Sequence, residues 1–411
     1  MKIKLFSELE PTYRYLKKDQ NGREINIYNL SNCYLTGYSL YYPNVLILSE
    51  DQYILPVNER TMSLDTTTKY ESENMVYKTY ESLNSYQNVE DPVFFFIYNT
   101  DNYYHFIYDT LPYLISYFYL KKTVPNLKLL MNYPGIYKKE MYLFVKEFLE
   151  LLDVDFIICD EKHHYRTIYI STSYTHAGLS NMPPRQEIYD FYQRMVDIAK
   201  KKYNGSLINM KNIYISRRTW IHNDLSNIGT NYTTRRKMVN EDELVKVLVG
   251  YTEVFTEKLS TIEKIIVFSQ ADNIIGAIGG GMTNLLFAKK DTRAIVIVSP
   301  YFLEINGRFR FSMDHTKVVY YNDTKIDSVI NGLSKYMRVK VKEMVIGEIV
   351  ELEEDRVKVA LGDGTNTGWN SENKYTEKYF KYNEVSKVDN GLNSPYSVKI
   401  QGLIPLLTTT M

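Results

Sequence analysis

Cysteine is nearly absent from this chain of 411 residues: Cys33 and Cys159 stand far apart and in no metal-ligand spacing. A disulfide framework and a zinc site are therefore not expected, and a reducing, cytoplasmic setting fits best. Net charge is absent as well, with 49 Lys and Arg against 49 Asp and Glu. No global field draws the chain to nucleic acid or to an anionic membrane, so any anion site has to be built locally. Long apolar runs are missing too. The stretch from Leu111 to Leu120 falls well short of the roughly 18 residues a membrane span needs. The start, MKIKLFSELEPTYRYLKK, lacks the apolar core of a signal peptide. His-x-x-Glu-His, Gly-x-Ser-x-Gly and clustered carboxylates do not occur, which removes metalloprotease and serine-hydrolase readings.

What is present is ordinary globular content, 44% hydrophobic and 24% charged, in a chain long enough for two or three domains. The 39 tyrosines, with abundant Asn, Lys and Ile, have the look of an AT-rich genome, and a bacterial or large-virus source fits. Stacking of tyrosine on sugars is the functional alternative. Residues 1–90 alternate short β-prone runs with turn residues, as a segment packed on the first domain. From 91 to 190 the texture becomes β-α-β-α-β. PVFFFIY reads as a buried strand and NYYHFIYDTLPYLISYFYL as an apolar helix bent at Pro112. Residues 191–338 form a second alternating block, with helix starts marked by Asn240 with Glu243 and by Ser260 with Glu263. Strands alternating with helices imply parallel sheets covered on both faces. Residues 339–411 switch to period two and read as a small all-β tail domain, of the SH3 type.

Three features could carry chemistry. NIIGAIGGGMTN, residues 273–284, runs a strand into glycines and a helix start. It is neither G-x-G-x-x-G nor a P-loop, because Ile278 holds the place of the second glycine and no G-K-[ST] follows. Phosphate contact by N–H groups near Met282, Thr283 and Asn284, or close packing on a neighbouring strand, would each explain it. Arg217 and Arg218 directly follow a strand, where guanidinium groups can fork onto a diphosphate. Arg235, Arg236 and Lys237 form a second basic run; both clusters also admit a reading as solvated surface charge. His105 and Asp109, four apart, share a helix face, as a carboxylate-oriented general base or as a structural pair.

In order, these segments resemble glycosyltransferase family 61, whose pattern is N-x-x-H-x-x-x-D, then S-R with further arginines and N-E, E-x-L-S, and G-x-H-G-x-G-x-T-N. Matching positions are Asn102, His105, Asp109, Ser216, Arg217, Arg236, Asn240, Glu241, Glu257, Ser260, Gly276, Gly279, Gly281, Thr283 and Asn284, within roughly residues 30 to 335. The resemblance implies an α/β, GT-B-like fold, two Rossmann-like domains facing a cleft. It implies an inverting transferase that moves a sugar from a nucleotide-sugar donor, UDP-sugar favoured, to a glycan or glycoprotein hydroxyl, with no metal and no other cofactor. His105 and Asp109 are then the catalytic pair. Arg217, Arg218, Arg236, Glu257, Gly279, Gly280, Gly281, Met282, Thr283 and Asn284 bind the nucleotide sugar, and Asn102 meets acceptor or sugar. A homo-oligomer is compatible. Where the family has histidine in G-x-H-G this chain has Ile278, and Lys264 replaces the usual Gln after Glu263. These departures leave two other readings: a weak or inactive GT-B-like scaffold, and an NAD-dependent Rossmann enzyme, for which the glycine spacing is wrong.

Overall fold

The computed structural model describes residues 3–37, 39–42, 44–50, 52–56, 86–133, 140–175, 183–205, 210–218, 236–305, 307–313, 315–326, 330–341, 346–362, 375–388 and 391–408. The chain is a mixed α/β protein and divides into two compact units, Met1–Arg194 and Met195–Met411. Among the described residues no helix is long and apolar enough to cross a membrane. The basic residue Arg235 lies outside the described residues.

In the first unit, β1 (Ile3–Leu5), β2 (Tyr13–Leu16), β3 (Ile25–Gly37), β4 (Val45–Ser49) and β5 (Gln52–Leu55) come from the amino-terminal segment. They are followed by β6 (Gln87–Val89), β7 (Val93–Phe95), β8 (Lys128–Met131), β9 (Phe156–Ile158) and β10 (His163–Ser171). All join one sheet, with β1-β5-β4-β3-β10-β7-β8-β9 as its path. The amino-terminal strands are thus hydrogen-bonded into the sheet of the block they were expected to pack on. The link is the antiparallel β3–β10 pair, running from Ser171 on Ile27 to His164 on Tyr34. Strands β10, β7, β8 and β9 are mutually parallel. Val93 to Tyr98 are all buried, as strands covered on both faces require. The helix Leu143–Leu151 turns Phe144, Val145, Phe148 and Leu149 inward, the 3.6-residue stripe of an amphipathic helix.

The segment expected as one helix bent at Pro112 is more irregular. Tyr103–His105 is α-helical, Phe106–Thr110 a π-turn, Leu111–Tyr113 a 3-10 turn, and Leu114–Lys121 α-helical again. The π register is marked by the Leu111 N–H donating to the Phe106 carbonyl, five residues back. In that register the Ile107 carbonyl would need the N–H of residue 112, and proline has none. The Tyr192 hydroxyl donates to it instead.

The second unit holds β11 (Asn212–Ile215), β12 (Thr252–Val254), β13 (Asn273–Ala277), β14 (Arg293–Ile297) and β15 (Lys317–Tyr321), all parallel, in the order β12-β11-β13-β14-β15. Ser260 and Glu263 close the expected capping box on the helix Thr261–Gln270. Asn240 does not cap Glu241–Val247. Its amide instead donates to the Val398 carbonyl at 2.8 Å and accepts the Val398 N–H at 3.0 Å. A strand edge that needs both a donor and an acceptor outcompetes the cap.

Beyond these strands come β16 (Thr324–Ile326), β17 (Arg338–Lys340), β18 (Ile346–Leu352), β19 (Arg356–Gly362), β20 (Tyr375–Lys381), β21 (Ser386–Lys387) and β22 (Tyr396–Val398). An antiparallel sheet β20-β19-β18-β17-β21 packs around Met337, Val339, Ile349, Val357 and Val359. The expected all-β tail ends there. β22 returns to pair with β16, and Ile400–Thr408 is a helix. Leu403 and Leu407 share a core with Tyr214, Ile275, Ile295 and Ile297, so the last residues cover the parallel sheet. An apolar stripe seeking an uncovered sheet face explains why a helix forms where period two had suggested strand.

Candidate active site

In the second unit the chain steps from β11 to β12 on one side and then returns to place β13 on the other. Such a reversal opens a crevice beyond the carboxyl ends of the two central strands. Ile215 is in register with Gly276 and with Val254, so Arg217 and the glycine run leave the sheet side by side. One buried carboxylate shapes the exit from β11. Glu241 Oε1 accepts from the Tyr214 hydroxyl at 2.8 Å, the Ser216 hydroxyl at 3.0 Å and the Arg217 N–H at 2.9 Å. Burial, followed by the charge of Glu241, holds the Tyr214 phenol well above its usual range. The Arg217 side chain then reaches across to β13, where Nη1 donates to the Ile278 carbonyl at 3.4 Å. Burial lowers its pKa, opposed by Tyr396, Glu241 and Glu257.

Both explanations for the glycines hold, at different positions. A Cβ on Gly276 would lie 2.9 Å from Ile215 Cβ and 2.6 Å from Met282 Sδ, and one on Gly281 would lie 3.1 Å from Ile215 Cγ2. Those two let the loop pack on the neighbouring strand. Gly279 has φ +154° and ψ −170°, a region essentially reserved for glycine. A Cβ there would sit 3.2 Å from Arg217 Nη1. The helix expected from Met282 is a 3-10 helix, Gly280–Phe287, and the Met282 N–H is already bonded to the Gly279 carbonyl at 3.0 Å. That N–H is therefore not available to an anion. Ile278 is buried and continues the sheet by donating its N–H to the Ile297 carbonyl at 2.8 Å.

The remaining positions divide. Glu257 Oε1 and Thr283 Oγ1 are buried without a hydrogen-bond partner among the described residues. Asn284 donates to the Gly281 carbonyl at 2.9 Å, which braces the loop from inside. Arg236 is buried with φ +56°, its guanidinium 4.9 Å from the Phe302 ring centre and 3.4 Å from Asn393 Oδ1. Arg218 points to a different pair of partners: Asp242 at 2.6 Å and Glu253 at 2.5 Å. Two carboxylates complete its fork.

In the first unit the strand order reverses at β7, with β8 on one side and β10 on the other. The segment after β7 carries Asn102, whose side chain accepts the His105 N–H at 3.2 Å and so starts the helix. His105 Nδ1 meets Asp109 Oδ2 at 2.7 Å, and Asp109 Oδ1 accepts from the Thr175 hydroxyl, beyond β10, at 2.9 Å. The Asp109 side chain is 7% exposed and that of His105 42%. Against an ionised carboxylate Nδ1 is the donor, which puts the lone pair on Nε2. A buried carboxylate orienting a half-exposed imidazole is the construction of a general base. Among the described residues no group of three His, Cys, Asp or Glu gathers to hold a metal.

Residues 103–295 match the model of the Glycosyltransferase 61 family. Over that region the chain is similar to glycosyltransferase family 61. Among curated proteins, none matches the chain. The family region takes in His105, Asp109, Arg217, Glu241 and the whole glycine loop, and it ends within β14. The chain therefore carries both clusters inside the region similar to family 61, while β15 to β22 lie beyond it. Sequence reading placed Glu241 only as part of an N-E match and gave no role to Tyr214, Thr175 or Tyr192. Their parts come from contacts across 24 to 85 residues of chain, which no local pattern displays.

Proposed function

We propose that this protein transfers a sugar from a nucleotide-sugar donor, with UDP-sugars favoured, to a hydroxyl of a glycan or protein acceptor. In this reading the two units form a GT-B enzyme that inverts the anomeric centre without a metal. The observation that carries it is Arg217 lying against Gly279 at the strand reversal of the second unit. A half-buried guanidinium there, beside a backbone with no Cβ, suits a diphosphate. The unpartnered Glu257 and Thr283 oxygens suit hydroxyl and phosphate groups of the donor. His105 Nε2 removes the acceptor proton as the acceptor oxygen attacks the anomeric carbon, and the bond from that carbon to the diphosphate oxygen breaks. Charge then grows on the leaving diphosphate, where Arg217 stabilises it. Ile278 supplies no imidazole, but its carbonyl fixes Arg217.

A thermal-shift screen against UDP-, GDP- and CMP-sugars tests the donor reading. Stabilisation by one class, lost in Arg217→Ala, is the expected result. No response to any of them, with Arg217→Ala indistinguishable from wild type, would sink it.

A further inference from the structure

The carboxyl-terminal strand β22 lies about a hundred residues beyond the family region, yet it is built into the edge of the Arg217 site. It is gripped on two sides. Ile326 of β16 pairs with Tyr396 and Thr324 with Val398. On the other side the Tyr396 N–H donates to the Lys237 carbonyl at 2.9 Å, and the Val239 N–H donates to the Tyr396 carbonyl at 2.8 Å. The Arg236 N–H reaches the Asn393 carbonyl at 3.1 Å, and Asn240 holds Val398 from both its amide atoms.

So fixed, Tyr396 is fully buried, with its ring in the core beside Tyr214, Ile275 and Leu403. Among the described residues its hydroxyl has no hydrogen-bond partner, and neither does the Ser394 hydroxyl two residues before it. A buried tyrosine hydroxyl ordinarily finds a partner, and leaving one unmade costs about 1–3 kcal/mol. The hydroxyl acts electrostatically on Arg217, Glu241 and Arg236. Arg217 in turn feels Glu257 and abuts Gly279. Two buried oxygens without a hydrogen-bond partner among the described residues, those of Tyr396 and Glu257, thus interact electrostatically with one guanidinium.

We propose that Tyr396 is a donor-binding residue whose hydroxyl hydrogen-bonds a phosphate oxygen of the nucleotide diphosphate held by Arg217. Burial keeps this phenol protonated, its pKa raised far above neutral, so it can only donate to an anion there. The carboxyl-terminal return thus completes a site that the family region alone leaves short of one donor. The inference rests on the donor reading above.

The test is calorimetric binding of UDP and of uridine to the full chain, in wild type, Arg217→Ala and Tyr396→Phe. Phenylalanine keeps the ring in the core and removes only an atom without a partner. The unliganded melting temperature should therefore stay level or rise. UDP affinity should fall five- to tenfold, roughly the loss of one hydrogen bond to a charged group, while uridine affinity stays the same. Unchanged UDP binding in Tyr396→Phe, with the loss confined to Arg217→Ala, would overturn the role of Tyr396 alone. Equal weakening of UDP and uridine would also overturn it, as a structural effect. Wild type that binds neither UDP nor uridine would remove the UDP donor reading and this inference with it.

Discussion

Glu241 accepts the Arg217 backbone N–H at 2.9 Å with the same oxygen that takes the Tyr214 and Ser216 hydroxyls. Three donors converge on one buried carboxylate, and the guanidinium is aimed by the backbone they fix. Glu241→Ala should cost about 3 kcal/mol, because it strands buried donors. Glu241→Gln, which retains an acceptor, should cost only about 1 kcal/mol. Denaturant unfolding measures both. If the two variants unfold alike, the carboxylate is not the organiser.

Gly279→Ala should lose about 1–3 kcal/mol through backbone strain and displace Arg217, whose Nη1 lies 3.2 Å from the new methyl position. Donor affinity should fall with it. Binding and melting measured on the same preparation check this, and an alanine variant with wild-type nucleotide affinity would contradict it.

His105→Ala should lower kcat by about 10²–10⁴ while leaving donor affinity near wild type. Asp109→Asn should lower kcat by a similar order, since an amide facing Nδ1 no longer enforces one tautomer. Single-turnover transfer rates report the chemical step. A drop in donor binding with no drop in rate would reassign the pair to structure.

Tyr192→Phe removes the hydroxyl that serves the Ile107 carbonyl beside Pro112. About 1–3 kcal/mol of stability should go, because that carbonyl is buried and proline cannot serve it. In Tyr192→Phe with Pro112→Ala the restored N–H can take over. Recovery of the melting temperature in the double variant is the expected outcome, and a further fall would refute the pairing.

His315 sits beside the carbonyls of Leu285 and Ala288, and burial pushes its imidazole from 6.5 down to about 4. The unfolded chain takes up a proton near pH 6.5 and the folded chain only near pH 4. Stability from this group is therefore complete above pH 6.5 and is lost as pH falls toward 4, by at most about 3 kcal/mol. Urea midpoints at pH 7 and 4.5 should differ less in His315→Leu than in wild type. The same acid loss in both would place the sensitivity elsewhere.

Much of the site was legible before folding. The strand that Arg217 follows, the glycine run and the four-residue spacing of His105 and Asp109 are local patterns, and each lies in the structure as a local feature. Arg218 was not legible: its neighbour status gave it the same expectation as Arg217, but Asp242 and Glu253 reach it from elsewhere in the chain. Asn240 misled because its cap pattern is local and its real partner, Val398, is 158 residues away.

By itself the sequence determined the alternation of apolar runs, and with it parallel strands, the breaks between them and the residue types able to hold an anion or move a proton. Those follow from period, glycine and charge, which act over a few residues. The tertiary structure alone decided which strand lies beside which. That order put Arg217 next to Gly279, drew Thr175 onto Asp109, joined the amino-terminal strands to the β10 edge and carried Tyr396 back to the parallel sheet. Strand order and long returns are set by burial summed over whole faces, and no window of sequence contains that sum.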